Sequence, residues 1–280
     1  MDVLLYPEIG MDPATAKLAS LRLALVQATS WGQPQTSGLP TMDYYLSAEA
    51  LEPPDAQAHY SERLELLPGT SCWLPRPRDE AAEAKPKASE LRLICPGTPF
   101  KYAAEHDALL VEIARRVPGG KLVFFRSKPE ALTAKLERRL RAAFARAGLD
   151  FERHVVFMPW QEPRAFRAIL AAADLYLDTV GFSGFNTALQ AVQCGLPVVT
   201  REGRFMRGRL ASGMLRHIGL DELVAPSDAA YVELAVALAN DAGRRQNLRE
   251  RLRDARGRLF EDDAPVRALE AFFERVVDAR

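Results

Sequence analysis

Cysteine is scarce in this 280-residue sequence, with Cys72, Cys95 and Cys194 as its three examples, far apart and without a CxxC pair. A disulfide framework is therefore excluded, and the usage fits a reducing cytoplasm. Four histidines, His59, His106, His154 and His217, lack the spacing of metal ligands, and the acidic run Glu261-Asp262-Asp263 reads as a solvated helix start. No metal and no cofactor are expected. Nothing approaches the ~18 apolar residues of a membrane span, and Asp2 and Glu8 stand where a secretory signal would carry basic residues. Gly-x-Ser-x-Gly, the Walker loop and Gly-x-Gly-x-x-Gly are all missing, which removes the nucleophile-elbow, P-loop and dinucleotide readings. Excess charge of either sign is lacking too. Nucleic acid is a poor fit as a partner, because much of the basic material sits in solvated helices such as Arg244 to Arg258.

What is present is ordinary globular composition, 48% hydrophobic and 26% charged, long enough for one large or two medium domains. The neutral total conceals an asymmetry. Residues 1–67 hold three basic and nine acidic side chains, so the remainder is mildly basic, and two modules are expected. In the first, residues 1–69, strands are expected at Val3 to Tyr6, Leu25 to Ser30, Met42 to Leu46 and Leu64 to Leu67. Helices are expected at Ala14 to Arg22 and after Pro53-Pro54. Residues 70–89 dissolve into proline, alanine and mixed charge and read as a linker.

From residue 90 to 280 strands and helices alternate regularly. Continuously apolar strands are expected at Leu91 to Cys95, Leu122 to Arg126, Val155 to Phe157, Leu175 to Leu177, Val198 to Thr200 and Leu223 to Ala225. Such strands separated by helices imply a parallel sheet covered on both faces. A helix is expected over Phe205 to Ile218, and a helical tail over Asp228 to Arg280 with breaks at Gly243 and Pro265. The most informative stretch is Ala173 to Thr200. There a short strand gives way to Gly181, Ser183 and Gly184, Asn186 and Thr187 open a helix, and Gly195 ends it. Free backbone N–H groups and the positive end of a helix form an anion site suited to phosphate. The same glycines could equally just shape a βα loop.

Ligands of doubly wound sheets lie at the carboxyl ends of strands. Lys101, in the turn after the first rear strand, is either a phosphate contact or a solvated surface lysine. After the third, a planar base could stack on Phe166 or Trp160 and bond to backbone near Gln161. The i, i+3, i+4, i+7 spacing of Phe166, Ile169, Leu170 and Ala173 favours a core role for Phe166. Gln190, one turn beyond Asn186, is a ribose contact or an ordinary helix residue. Arg126, Arg201, Arg204, Arg207 and Arg209 follow strand ends and outnumber the phosphate contacts required.

Several segments together carry a family likeness: Tyr6-Pro-Glu-Ile-Gly10, Gln27 with Trp31-Gly-Gln-Pro-Gln-Thr-Ser-Gly38, Met42-Asp-Tyr44, Pro53 with Tyr60-Ser-Glu62, Phe100-Lys101, Asp178-Thr179 with Gly184-Phe-Asn-Thr187, and Gly195-Leu-Pro-Val198. With these the chain resembles the O-GlcNAc transferase and SPINDLY-like UDP-sugar glycosyltransferases over nearly its whole length. The resemblance implies an α/β, GT-B-like fold, with a parallel Rossmann-type C-terminal domain and a partial N-terminal one. It implies inverting, metal-independent transfer of GlcNAc or a hexose from a UDP-sugar to a protein side chain. By the same likeness Lys101 would neutralise the diphosphate, and the helix start at Gly184, Asn186 and Thr187 would donate to it. Gln161 and Phe166 would hold uracil, Gln190 would stand where the family carries a ribose-binding acid, and Gly32 and Pro34 would approach the sugar. Arg209 matches a recurrent family arginine. The family's front domain has further strands, a histidine and helical repeats ahead of the matched stretch. The alternative expectation is accordingly a nucleotide-binding module or truncated fragment without turnover.

Overall fold

The computed structural model describes residues 1–76 and 90–279. These divide into two compact units, one of Met1–Arg76, Arg204–Arg209 and Arg258–Arg280, the other of Pro77–Gly203 and Leu210–Gly257. Residues 77–89, most of the expected linker, lie outside the described residues.

In the first unit, short apolar runs form β1 (Val3–Tyr6), β2 (Val26–Ser30), β3 (Tyr44–Ala48) and β4 (Arg63–Leu67), all parallel and side by side in sequence order. Parallel strands must be covered on both faces. One cluster, Tyr6, Ala19 and Met42, draws on α1 (Pro13–Ala19), whose first turn is capped by Asp12 accepting from Ala14 N–H at 2.9 Å. The other cluster joins Ala28, Leu46 and Leu67 to Phe272 and Val276 of the helix Ala264–Asp278. That helix was expected in the rear module, and its apolar face returns it to the first sheet instead. The expected helix after Pro53-Pro54 is only a 3-10 turn, Ala56–His59. The Gln57 side chain fixes it, donating to Glu62 C=O and accepting from Leu64 N–H, both at 2.9 Å. Residues 71–76 are likewise not linker but part of this unit: Trp73 Nε1 donates to Asp263, and Leu74 C=O accepts from Glu261 N–H.

The second unit contains β5 (Leu91–Cys95), β6 (Gly120–Phe125), β7 (Val155–Met158), β8 (Leu175–Leu177), β9 (Val198–Arg201) and β10 (Val224–Ala225), all parallel, in the order β10-β9-β8-β5-β6-β7. Its helices are α2 (Asp107–Arg116), α3 (Glu130–Arg146), α4 (Phe151–His154), α5 (Pro163–Ala171), α6 (Asn186–Gln193), α7 (Leu210–His217), α8 (Asp228–Asn240) and α9 (Ala242–Ala255). One group packs α2 with α3 and α8, and another packs α6 with α5, α7 and α9. The helix expected from Phe205 starts only at Leu210, because residues 204–209 leave this unit; in the first unit Met206 Sδ accepts from Ser47 Oγ at 3.4 Å. The break expected at Gly243 falls at Asp241, whose carboxylate caps α9 by accepting from Arg244 N–H at 2.8 Å. Among the described residues no helix is long and apolar enough to cross a membrane.

Candidate functional site

The strand order of the second sheet reverses between β5 and β8, so the chain leaves those neighbouring strands in opposite senses and opens a crevice at their carboxyl ends. The turn after β5 and the loop after β8 form its walls. They approach closely because Gly97 has no side chain: a Cβ there would meet Thr179 Oγ1 at 2.8 Å and the Tyr102 ring at 3.0 Å. Across this approach Lys101 Nζ donates to Ser183 C=O at 2.9 Å and lies 4.3 Å from the centre of the Phe182 ring. Burial holds the Lys101 ammonium below its ordinary pKa, with Asp178 pulling the other way.

Asp178, at the end of β8, organises the second wall. Its carboxylate accepts from Ser183 Oγ at 2.6 Å, Gly184 N–H at 2.9 Å and Thr200 Oγ1 at 2.7 Å, while its carbonyl accepts from the Tyr231 hydroxyl. Burial pushes its pKa up and these donors oppose the shift. The carboxylate thereby aims the loop into the start of α6. The first intrahelical bond of that region runs from Leu189 N–H to Phe185 C=O, so the amides of Asn186, Thr187 and Ala188 lie in the unsatisfied first turn. No residue of the first turn of α6 is itself acidic. Asn186 is exposed and is the first helical residue, not a cap; Phe185 holds the cap position without a side-chain bond. The Thr187 hydroxyl shares a hydrogen bond with the Tyr176 hydroxyl, 2.8 Å away. Gln190 is half-buried one turn along. At the far end Gly195, at φ +67°, closes α6 with Leu196 N–H bonded to Ala191 C=O.

The loop after β7 lies at the same edge of the sheet. Gln161 spends its amide on Pro159 C=O at 2.8 Å, and the half-buried Phe166 packs edge-on against Phe125 at 5.2 Å. Trp160 is exposed beneath Lys128. Of the five arginines, Arg126 is paired with Glu130 and Glu137 and Arg201 with Asp228. Arg204, Arg207 and Arg209 belong to the first unit. There Gly32 is exposed and Pro34 buried. A Cβ on Gly32 would meet Pro7 O at 2.6 Å, so a close backbone contact already demands glycine. Among the described residues no group of three or more His, Cys, Asp or Glu could hold a metal ion.

The model of glycosyl transferase family 41 matches residues 101–264, more than half of the chain and beginning at Lys101. The chain belongs to glycosyl transferase family 41. Family relatives include the probable UDP-N-acetylglucosamine–peptide N-acetylglucosaminyltransferase SPINDLY of Petunia hybrida, 29% identical over 258 residues that cover 88% of this chain and 27% of that protein. The rice protein of the same name is 28% identical over 96% of this chain and 30% of its own length. Among solved structures, a mutant Thermobaculum terrenum O-GlcNAc transferase superposes with a TM-score of 0.84 at 28% identity, over 99% of this chain and 53% of that one. The fold is thus that of the GT-B glycosyltransferases. This family 41 chain spans less than a third of the curated relatives' length.

Proposed function

We propose that the second unit binds the diphosphate and uridine of a UDP-sugar in the β5/β8 crevice, and that the protein transfers the sugar to a protein side chain with inversion. The observation that carries this reading is the Lys101–Ser183 bridge. It sets an under-solvated ammonium beside the first turn of a helix whose amides have no intrahelical acceptor, so a diphosphate would gain a cation and several N–H donors together. In this reading Lys101 and the amides around Gly184, Asn186 and Thr187 bind phosphate, Gln190 reaches the ribose, and the backbone at Gln161 with the Phe166 ring holds uracil. Gly32 and Pro34 belong to the sugar side. Donor and acceptor class rest on the names of the SPINDLY and O-GlcNAc transferase relatives.

An acceptor hydroxyl oxygen attacks the anomeric carbon while the bond to the diphosphate oxygen breaks; UDP departs with the electron pair, and the hydroxyl proton passes to the departing diphosphate or to water. Lys101 and the α6 start stabilise the charge that grows on the leaving group, which is electrostatic catalysis by groups already in place. No metal is invoked, and UDP affinity should survive dialysis against EDTA. Calorimetric titration tests the assignment. UDP should bind in preference to ADP and GDP, and Lys101→Ala should weaken UDP by about ten- to a hundredfold while leaving uridine unchanged. A variant that loses both ligands alike, or neither, removes Lys101 from the phosphate site.

A further inference from the structure

Lys101 is useful to a diphosphate only if its turn is held still, and one group that holds the turn lies on another element. Arg139, on α3, donates from Nε to Asp107 Oδ2 at 2.7 Å and from Nη2 to Asp107 Oδ1 at 3.0 Å. The same Nη2 also donates to the carbonyl of Tyr102 at 2.6 Å. Tyr102 follows Lys101 directly, and it is tied at its other end as well, because its hydroxyl accepts from Gly97 N–H at 3.1 Å. Its ring is buried against Phe124. The turn from Gly97 to Tyr102 is closed on itself by that bond together with Lys101 N–H to Thr98 C=O at 2.9 Å and Tyr102 N–H to Pro99 C=O at 3.4 Å, and it is fastened to α2 and α3 by the guanidinium fork. Lys101 is the side chain this clamped turn extends across to Ser183.

We propose that Arg139 is a positioning residue for Lys101, an inference that rests on the diphosphate reading above. Its charge is matched by Asp107, with side chains only 27% and 7% exposed, so it offers little net field to a distant phosphate. Its contribution is geometric: three hydrogen bonds from one planar group fix the carbonyl beside Lys101, and a displacement of about 1 Å at such a point is costly for a charge contact. A structural ion pair alone would require Asp107 and not the Tyr102 carbonyl. Asp107 would also be favourable without Arg139, since it occupies the first turn of α2, where the helix end is positive.

The test is titration of UDP and uridine into the wild type, Lys101→Ala, Arg139→Ala, Arg139→Lys and the double variant Lys101→Ala/Arg139→Ala, each checked for folding by circular dichroism. Arg139→Ala should weaken UDP about three- to tenfold with uridine unchanged. Arg139→Lys, which keeps the charge and loses the fork, should not restore it. The double variant should bind UDP no worse than Lys101→Ala, because a group that acts through Lys101 has nothing left to act on. Losses that multiply in the double variant, rescue by lysine, or equal weakening of uridine would overturn the proposal and leave the diphosphate reading standing. A folded wild type that ignores UDP overturns both. Should Arg139→Ala not fold, Tyr102→Phe removes the side-chain tie of the turn to Gly97 N–H and should weaken UDP selectively in the same way; unchanged UDP affinity there counts against the clamp.

Discussion

Each unit shapes one loop around a buried carboxylate, and the two carboxylates respond in opposite directions. In the first unit Glu62, 2% exposed, accepts from Ser37 N–H at 2.8 Å, Thr36 Oγ1 at 2.6 Å, Ser61 Oγ at 3.1 Å and the Ser37 hydroxyl, and so holds the loop that carries Gly32 and Pro34. In the second, Asp178 gathers Ser183, Gly184 and Thr200. Burial raises both pKa values. Around Glu62 the donors from Ser37 and Thr36 outweigh burial and bring the group below its ordinary value, whereas around Asp178 burial prevails and the value is raised. Hydrogen bonds to a charged oxygen can offset desolvation only when they are numerous enough for the depth. The Asp178 loop thus keeps its shape at a higher electrostatic cost than the Glu62 loop.

The largest expected difference follows from removing each carboxylate. Asp178→Ala strands two hydroxyls and an amide in the interior, and should cost about 3–5 kcal/mol and abolish UDP binding by releasing the α6 start. Glu62→Ala should cost only about 1–2 kcal/mol, since its donors Thr36 and Ser61 lie near the surface and can turn to water. Urea midpoints of both variants decide the matter. An equal or greater loss for Glu62→Ala breaks the comparison.

The two loops also differ in why each needs its glycine. At Gly32 an added Cβ meets the Pro7 carbonyl oxygen at 2.6 Å and Glu8 Cβ at 2.8 Å, and the same carbonyl accepts from Gly32 N–H. Relief requires the backbone after β1 to move. Gly32→Ala should therefore cost about 1–3 kcal/mol. At Gly184 the conflict is with Thr187 Oγ1, at 2.5 Å, which can rotate away at the expense of its bond to Tyr176. Gly184→Ala should cost about 1 kcal/mol in melting experiments, yet weaken UDP measurably, because the first turn of α6 shifts with it. A Gly184→Ala variant with unchanged UDP affinity would separate this glycine from the phosphate site.

Much of the second unit was legible because its signals are local. Asn186 opens α6, Gly195 closes it, and the apolar runs of β5 to β9 fall within two residues of their expected places. What was missed depends on residues far apart in the chain. Asp178 carried only the family likeness, without a role, since nothing in the sequence announces that Ser183, Gly184 and Thr200 converge on it. Arg139 looks like its neighbours Arg138 and Arg141, and only α3 packing near the β5 turn distinguishes it. Met206, Leu210 and Met214 recur at helical spacing, yet residues 204–209 go to the first unit, where Met206 meets Ser47 and Tyr60. The helix Ala264–Asp278 shows an apolar face without saying which sheet will bury it. Tertiary contacts override the local preference in each of these cases.

The smallest effect is also the most specific to the contrast between the carboxylates. Glu62, depressed below its ordinary value of 4.5, contributes stability that is fully present above that value and is lost as pH falls through the lower folded value. Asp178, raised above its ordinary 3.8, does the reverse: folding gains from its protonation below 3.8, and that gain is lost as pH rises through the higher folded value. Replacing each by its amide removes the titration with little change of shape. Between pH 3 and 7 the stability of wild type relative to Glu62→Gln should rise, and that relative to Asp178→Asn should fall. Urea unfolding at several pH values measures both slopes. If they share a sign, burial and hydrogen bonding stand in the same balance at the two loops, and the contrast between the two carboxylates is lost.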